Sequence, residues 1–95
     1  MHDSTSARLR HARTLAGDLQ PGELSRLAGL AASHVAAIES GARAQPQART
    51  LVQLAEVLGV DLAWLLQGAG RAPSRAGVRQ AVAAARASLA ARVRA

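Results

Sequence analysis

Cysteine, lysine, tyrosine and phenylalanine are all missing from this chain, and tryptophan occurs once, at Trp64. Without cysteine there is neither a disulfide framework nor a thiolate metal site, so stability must come from packing, and a reducing compartment suits the chain. No apolar run approaches the roughly 20 residues that span a bilayer. The first residues, MHDS, carry no charged-then-apolar leader pattern, so a cytoplasmic location is expected. The lack of aromatic anchors also argues against a helix lying on a membrane surface. The three histidines, at 2, 11 and 34, are scattered without a carboxylate partner at a recognisable spacing, and no glycine-rich phosphate loop follows a strand pattern. Catalysis, a metal and a cofactor are therefore not expected.

What is present is basic, and unevenly so. Ninety-five residues suit one small domain, which buries about 60% or slightly more of its unfolded surface. Residues 1–68 hold six arginines and all six acids, which cancel; residues 69–95 hold the other six arginines and no acid, so the whole formal charge of +6 lies in the tail. A net basic chain of this size points to a polyanionic partner. Heavy use of alanine and arginine is also what a GC-rich coding bias produces.

Hydrophobic periodicity predicts helices throughout, an all-α chain. Ser4, Thr5 and Ser6 are cap candidates for a first helix with Leu9, Ala12, Leu15 and Ala16 on one face, ending at Gly17. Arg8, Arg10 and Arg13 ride on that helix and His11 falls on its exposed side. A second helix starts near Gln20, with Pro21 at its first position and Glu23 in its first turn, and runs to Ala28. A third spans about residues 32–40 and closes at Gly41, with Ala31 where a capping Ser or Thr usually stands. A fourth covers about 47–58 with the stripe Leu51, Leu54, Ala55 and Leu58, and a short fifth runs from a capping Asp61 to Gly68. A linker is read over 69–77 and a C-terminal Ala/Arg-rich amphipathic helix over 78–95, its pattern detectable from Ser74: Val78, Val82, Ala85, Leu89 and Val93 share one face.

The stretch ELSRLAGLAASHVAAIESG at 23–41 holds two short amphipathic patterns hinged on Gly29, the sequence form of a helix-turn-helix. Together with LSRLAG at 24–29, IESG at 38–41, TLVQLAEVLGV at 50–60 and DLAWLLQG at 61–68, it makes residues 8–68 resemble the phage-repressor-like (Cro/cI, XRE-type) DNA-binding family. The spacing fits apart from one extra residue at about Asp18 and another after Gly41. The resemblance implies a five-helix lambda-repressor-like domain over 1–68 that binds double-stranded DNA as a homodimer, with the third helix in the major groove, and acts as a transcriptional regulator, in the first instance a repressor. An alternative reading is a repurposed helix-turn-helix that serves as a protein-interaction module with weak or no specific DNA binding.

Carried over position by position, the resemblance places Ala32, Ser33, His34, Ala36 and Ala37 against base edges. Most of these are methyl groups: Ser33 can donate or accept, Ala37 can meet a thymine methyl, and His34 is either a DNA contact or a solvated surface residue. Phosphate contacts fall to Ser40, Arg43 and Arg49, and to Gln20 because Pro21 has no donor. Arg49 in a first helical turn works against the helix dipole, a cost that a phosphate relieves; otherwise it simply faces solvent. Arg13 and Glu39 are expected to form a structural ion pair between the first and third helices, and Trp64 to pack in the core. The tail has three readings: a dimerisation helix, which is favoured, a basic arm that places Arg75, Arg79 and Arg86 on phosphates, or a segment folded back over a groove.

Overall fold

The computed structural model describes residues 4–42 and 46–94. They form six helices, α1 (Thr5–Leu15), α2 (Pro21–Leu27), α3 (His34–Glu39), α4 (Ala48–Leu58), α5 (Leu62–Gln67) and α6 (Arg75–Arg94), with no strand among the described residues. Ser4 caps α1 by accepting the Ala7 N–H at 3.1 Å, which leaves Ser6 free to donate to the Ile38 carbonyl, at the end of α3, at 2.7 Å. Pro21 occupies the first position of α2, where its missing N–H is harmless.

The apolar stripes of α1 to α5 meet in one core. Leu9, Leu24, Val35, Ile38, Leu54, Leu58 and Leu65 have no exposed surface, and Trp64 is buried at its edge. His11 is not on an open face: its ring is half-buried and sits 6.2 Å from the Trp64 ring, tilted by 54°. Arg8 also departs from expectation. It is buried against the end of α5, where its guanidinium donates to the carbonyls of Leu65 at 2.9 Å and Leu66 at 2.7 Å, neutralising acceptors that the last turn of a helix leaves open. Asp61 holds the N-cap position of α5 with extended backbone, but its carboxylate makes no cap hydrogen bond, contrary to the capping role expected of it.

The C-terminal helix begins at Arg75, so residues 75–77, expected in the linker, are helical. Ser74 explains the early start: its Oγ accepts the Gly77 N–H at 3.0 Å and its carbonyl accepts the Val78 N–H at 3.0 Å. α6 lies across α4, α1 and α2. Val78 and Val82 are 1% exposed and belong to the same core as α1 to α5, so the stripe expected to join two subunits is largely used inside one chain. The approach is close at Gly59, which ends α4 with φ +66°: a Cβ there would stand 2.6 Å from the Ala81 Cβ, so both the backbone turn and the packing require glycine.

Candidate nucleic-acid interface

Two seven- and six-residue helices cannot stand alone in water, so α2 and α3 must be held by their surroundings. The turn between them opens with Gly29 at φ +75°, and the Leu30 N–H returns to the Ser25 carbonyl at 2.8 Å. Ser25 is fully buried and joins both helices: its Oγ donates to the Pro21 carbonyl at 3.0 Å and accepts the Val35 N–H at 3.0 Å. That N–H is in the first turn of α3 and would otherwise lack a partner. The start of α2 lies against the turn before α3, since a Cβ at Gly22 would stand 3.8 Å from the Ala32 carbonyl oxygen.

The other end of α3 is tied to α1. Glu39, whose side chain is only 5% exposed, accepts from Arg13 Nε at 2.7 Å and Arg13 Nη2 at 2.9 Å, a two-point charge-assisted contact. Arg13 Nη1 adds a bond to the Leu19 carbonyl at 2.8 Å. Arg10 approaches the same carboxylate at 3.5 Å and donates to the Glu39 carbonyl at 3.3 Å. Neither Ser25, Ser6 nor Arg10 was expected to take part. The available signal for Ser25 was a hydroxyl beside Leu24 on a buried face, where only a local backbone partner can satisfy it.

Held in this way, α3 turns the expected reading surface outward, although the helix is shorter than the predicted 32–40. Without a cap at Ala31, the backbone makes a tight turn in which the His34 N–H bonds to the Ala31 carbonyl at 3.0 Å, and Ser33 becomes the N-cap without a side-chain bond. Ala32 and Ser33 therefore lie in the turn just before the helix. They are exposed, as is Ala36, while His34 and Ala37 are half-buried. Gln20 is exposed just before α2, on the edge where the starts of α2 and α3 converge. Ser40 is exposed after α3, its Oγ donating to the Ala37 carbonyl at 3.1 Å. Arg49 is exposed at the second residue of α4 and forms no ion pair among the described residues. Arg43 and His2 lie outside the described residues.

The tail arginines divide. Arg75 and Arg79 are exposed, whereas Arg86 is half-buried and engaged within the chain. Its Nε and Nη2 donate to the two Glu23 carboxylate oxygens on α2 at 2.8 and 2.9 Å, and Nη2 also reaches Asp18 at 3.3 Å. The hydrogen bonds from Arg86 hold the Glu23 carboxyl below its ordinary range, against an opposing effect of burial, and the same contacts raise the affinity of Arg86 for its proton. The clasp closes α6 onto α2.

A family model described as helix-turn-helix matches residues 9–65, from α1 through α5. The chain belongs to this XRE-type, Cro/cI-like helix-turn-helix family. The match ends before α6, so the C-terminal helix lies outside the matched residues. Membership makes the chain a DNA-binding regulator in general terms. No curated protein and no solved structure matches it. Among the described residues no helix is long and apolar enough to cross a membrane, and no group of His, Cys, Asp or Glu is arranged to hold a metal.

Proposed function

We propose that this helix-turn-helix protein is a sequence-specific transcriptional repressor that binds operator DNA as a homodimer, each protomer setting α3 and the turn before it into the major groove of one half-site, the half-sites being about 34 Å apart. The observation that carries the reading is the exposure of Ala36 on α3 and of Ala32 and Ser33 in the turn before it, the helix being anchored from behind at both ends by Ser25 and by Arg13–Glu39. α6 packs against α1, α2 and α4 and leaves these residues open. Base readout then rests on Ser33 and on methyl contacts from Ala36 and Ala37 to thymine, with Gln20, Ser40, Arg43 and Arg49 positioning the backbone. Repression is the sign we assign because occupancy of a promoter is sufficient for it.

Selection of bound duplexes from a random pool, followed by fluorescence anisotropy, tests the proposal. A twofold-symmetric site should emerge, bound at least about 1,000 times more tightly than random duplex and by two protomers. Ala36→Glu, which adds a like charge to the duplex-facing surface without touching the core, should abolish binding. Equal affinity for all duplexes would instead favour the second reading, a protein-interaction module. That reading is supported by the methyl-lined face of α3 and by Pro21, which offers no donor where α2 would approach a phosphate.

A further inference from the structure

One surface has no part in the proposed DNA contact. The apolar stripe of α6 starts buried, at Val78 and Val82, is half-covered at Ala85 and Leu89, and ends at Val93, which is 79% exposed. Depressions run along both sides of this emerging helix. One of about 480 Å³ lies toward α2 and is lined in part by Leu27, Leu89 and Val93; another of about 490 Å³ lies toward α4, with Leu27, Val57 and Leu89. Because Leu27 and Leu89 belong to both, the two are continuous around α6, the first mainly apolar and the second mixed, with Gln53, Glu56 and Arg92 beside Leu27 and Val57.

Charge on the rim is one-sided. Arg26 and Arg94 border the first depression and Arg92 the second, and none of the three has an ion-pair partner among the described residues. Glu23 also stands on this rim, but Arg86 already neutralises it with two hydrogen bonds. Glu56 is the one acid left uncovered there, against three arginines.

We propose that this surface docks an acidic amphipathic helix of a partner protein, with apolar side chains at helical spacing on Leu27, Leu89 and Val93 and flanking carboxylates on Arg26 and Arg94 at one side and Arg92 at the other. A second copy of the chain suits the surface poorly. Residues 69–95 contain no acid, and on the surface itself only Glu56 stands uncovered, against Arg26, Arg92 and Arg94, because Glu23 is held by Arg86. Self-pairing would therefore bring three arginines from each copy against one carboxylate and leave most of the positive charge unmatched. A duplex would meet only the rim arginines, because Leu27, Leu89 and Val93 between them offer no partner to phosphate or sugar. The surface contains no residue of α3, so this inference stands apart from the DNA-binding proposal.

The test uses the full chain, isotopically labelled, and two designed helical peptides that share leucines at i, i+3, i+4 and i+7 but carry either glutamate or lysine on the flanks. The expected result is saturable binding of the glutamate peptide alone, with NMR shifts at Leu27, Val57, Leu89 and Val93. Arg26→Glu combined with Arg94→Glu should weaken it about tenfold, and Val93→Asp should weaken it too, with circular dichroism and affinity for duplex unchanged. Three results overturn the proposal: no binding up to about 1 mM peptide, equal binding of the lysine peptide, or a wild-type dimer in sedimentation that Val93→Asp dissociates, which would give the surface to a second copy.

Discussion

Replacing Glu39 with alanine is the perturbation that most directly tests whether α3 is held as described. The carboxylate is 5% exposed and accepts two short hydrogen bonds from Arg13, whose own side chain is 15% exposed. Its removal leaves Arg13 with the Leu19 carbonyl as its remaining acceptor in this cluster. Stranding one member of a fully buried pair costs about 3–5 kcal/mol. The partial exposure of Arg13 lets water reach it, which places the expected loss at about 2–3 kcal/mol. At a urea slope of about 1 kcal/mol per molar for a small domain, the unfolding midpoint should fall by about 2–3 M. Arg10→Ala supplies the internal comparison: its guanidinium is 59% exposed and 3.5 Å from the same carboxylate, so its loss should cost about 0.5 kcal/mol. A double-mutant cycle should give Arg13–Glu39 a coupling of at least about 1 kcal/mol and Arg10–Glu39 clearly less. If Glu39→Ala and Arg10→Ala lower stability equally, the reasoning about burial is wrong.

Other consequences can be measured separately. Ser25→Ala removes the acceptor of the buried Val35 N–H and should cost about 1–2 kcal/mol; amide exchange at Val35 should accelerate more than at Leu54, and an unchanged Val35 rate would contradict the brace. If Arg43 and Arg49 of two protomers each neutralise a phosphate, the logarithm of DNA affinity should fall with the logarithm of salt at a slope of about −3.6, and Arg49→Ala should reduce its magnitude by about 1.8 without altering site preference; an unaltered slope means that Arg49 faces solvent. The depressed affinity of Glu23 for protons gives the α6 clasp a pH dependence. Its stabilisation is complete above the ordinary carboxyl value of 4.5 and is lost as pH falls through the lower folded value. Both side chains are about a third exposed, so the clasp is worth at most about 1 kcal/mol. Wild type and Glu23→Gln should differ near pH 6 by about that amount and converge in acid; a difference that persists to about pH 2.5 would show that charge is not what holds the clasp.

Period-3.6 patterns made the helices legible, because a buried stripe recurs wherever a helix must cover a core: Leu51, Leu54, Ala55 and Leu58 are all buried on α4. The hinge at Gly29 was equally open to reading, since φ +75° selects glycine. Exposure of Ala36 followed from the same periodicity that buried Val35 and Ile38, whereas Ala32 and Ser33 are exposed in a turn that the periodicity did not show. What could not be read was how polar groups are shared among helices distant in sequence. Arg8, Arg10 and Arg13 look alike on one helix, yet one covers the end of α5, one stays at the surface and one locks α3. The same limit applies to the tail: Val78 and Val82 announce a partner, but periodicity does not say whether that partner is the chain itself or another molecule. In the structure Val78 and Val82 pack within the chain, and Arg86 reaches Glu23, 63 residues away.

The polar contacts of α3 bear on how an alanine-lined helix can read sequence at all. Methyl groups at 32, 36 and 37 supply no bidentate pair, so each base contact discriminates less than the about 1–3 kcal/mol that an arginine or amide gives. Discrimination by shape and by thymine methyls is worth something only when the backbone is held in place, because a mobile helix would re-seat itself on any groove. α3 is held in three ways that use no outward side chain: Ser25 on the Val35 N–H, Ser6 on the Ile38 carbonyl, and Arg13 on Glu39. In the proposed complex, small side chains would also let the helix sit deeper between the strands, with a phosphate contact from Arg49 setting its register. On this argument affinity comes mainly from the backbone and selectivity from the fixed position of α3. Ser25→Ala should then lose specificity for the preferred site more steeply than it loses affinity for random duplex.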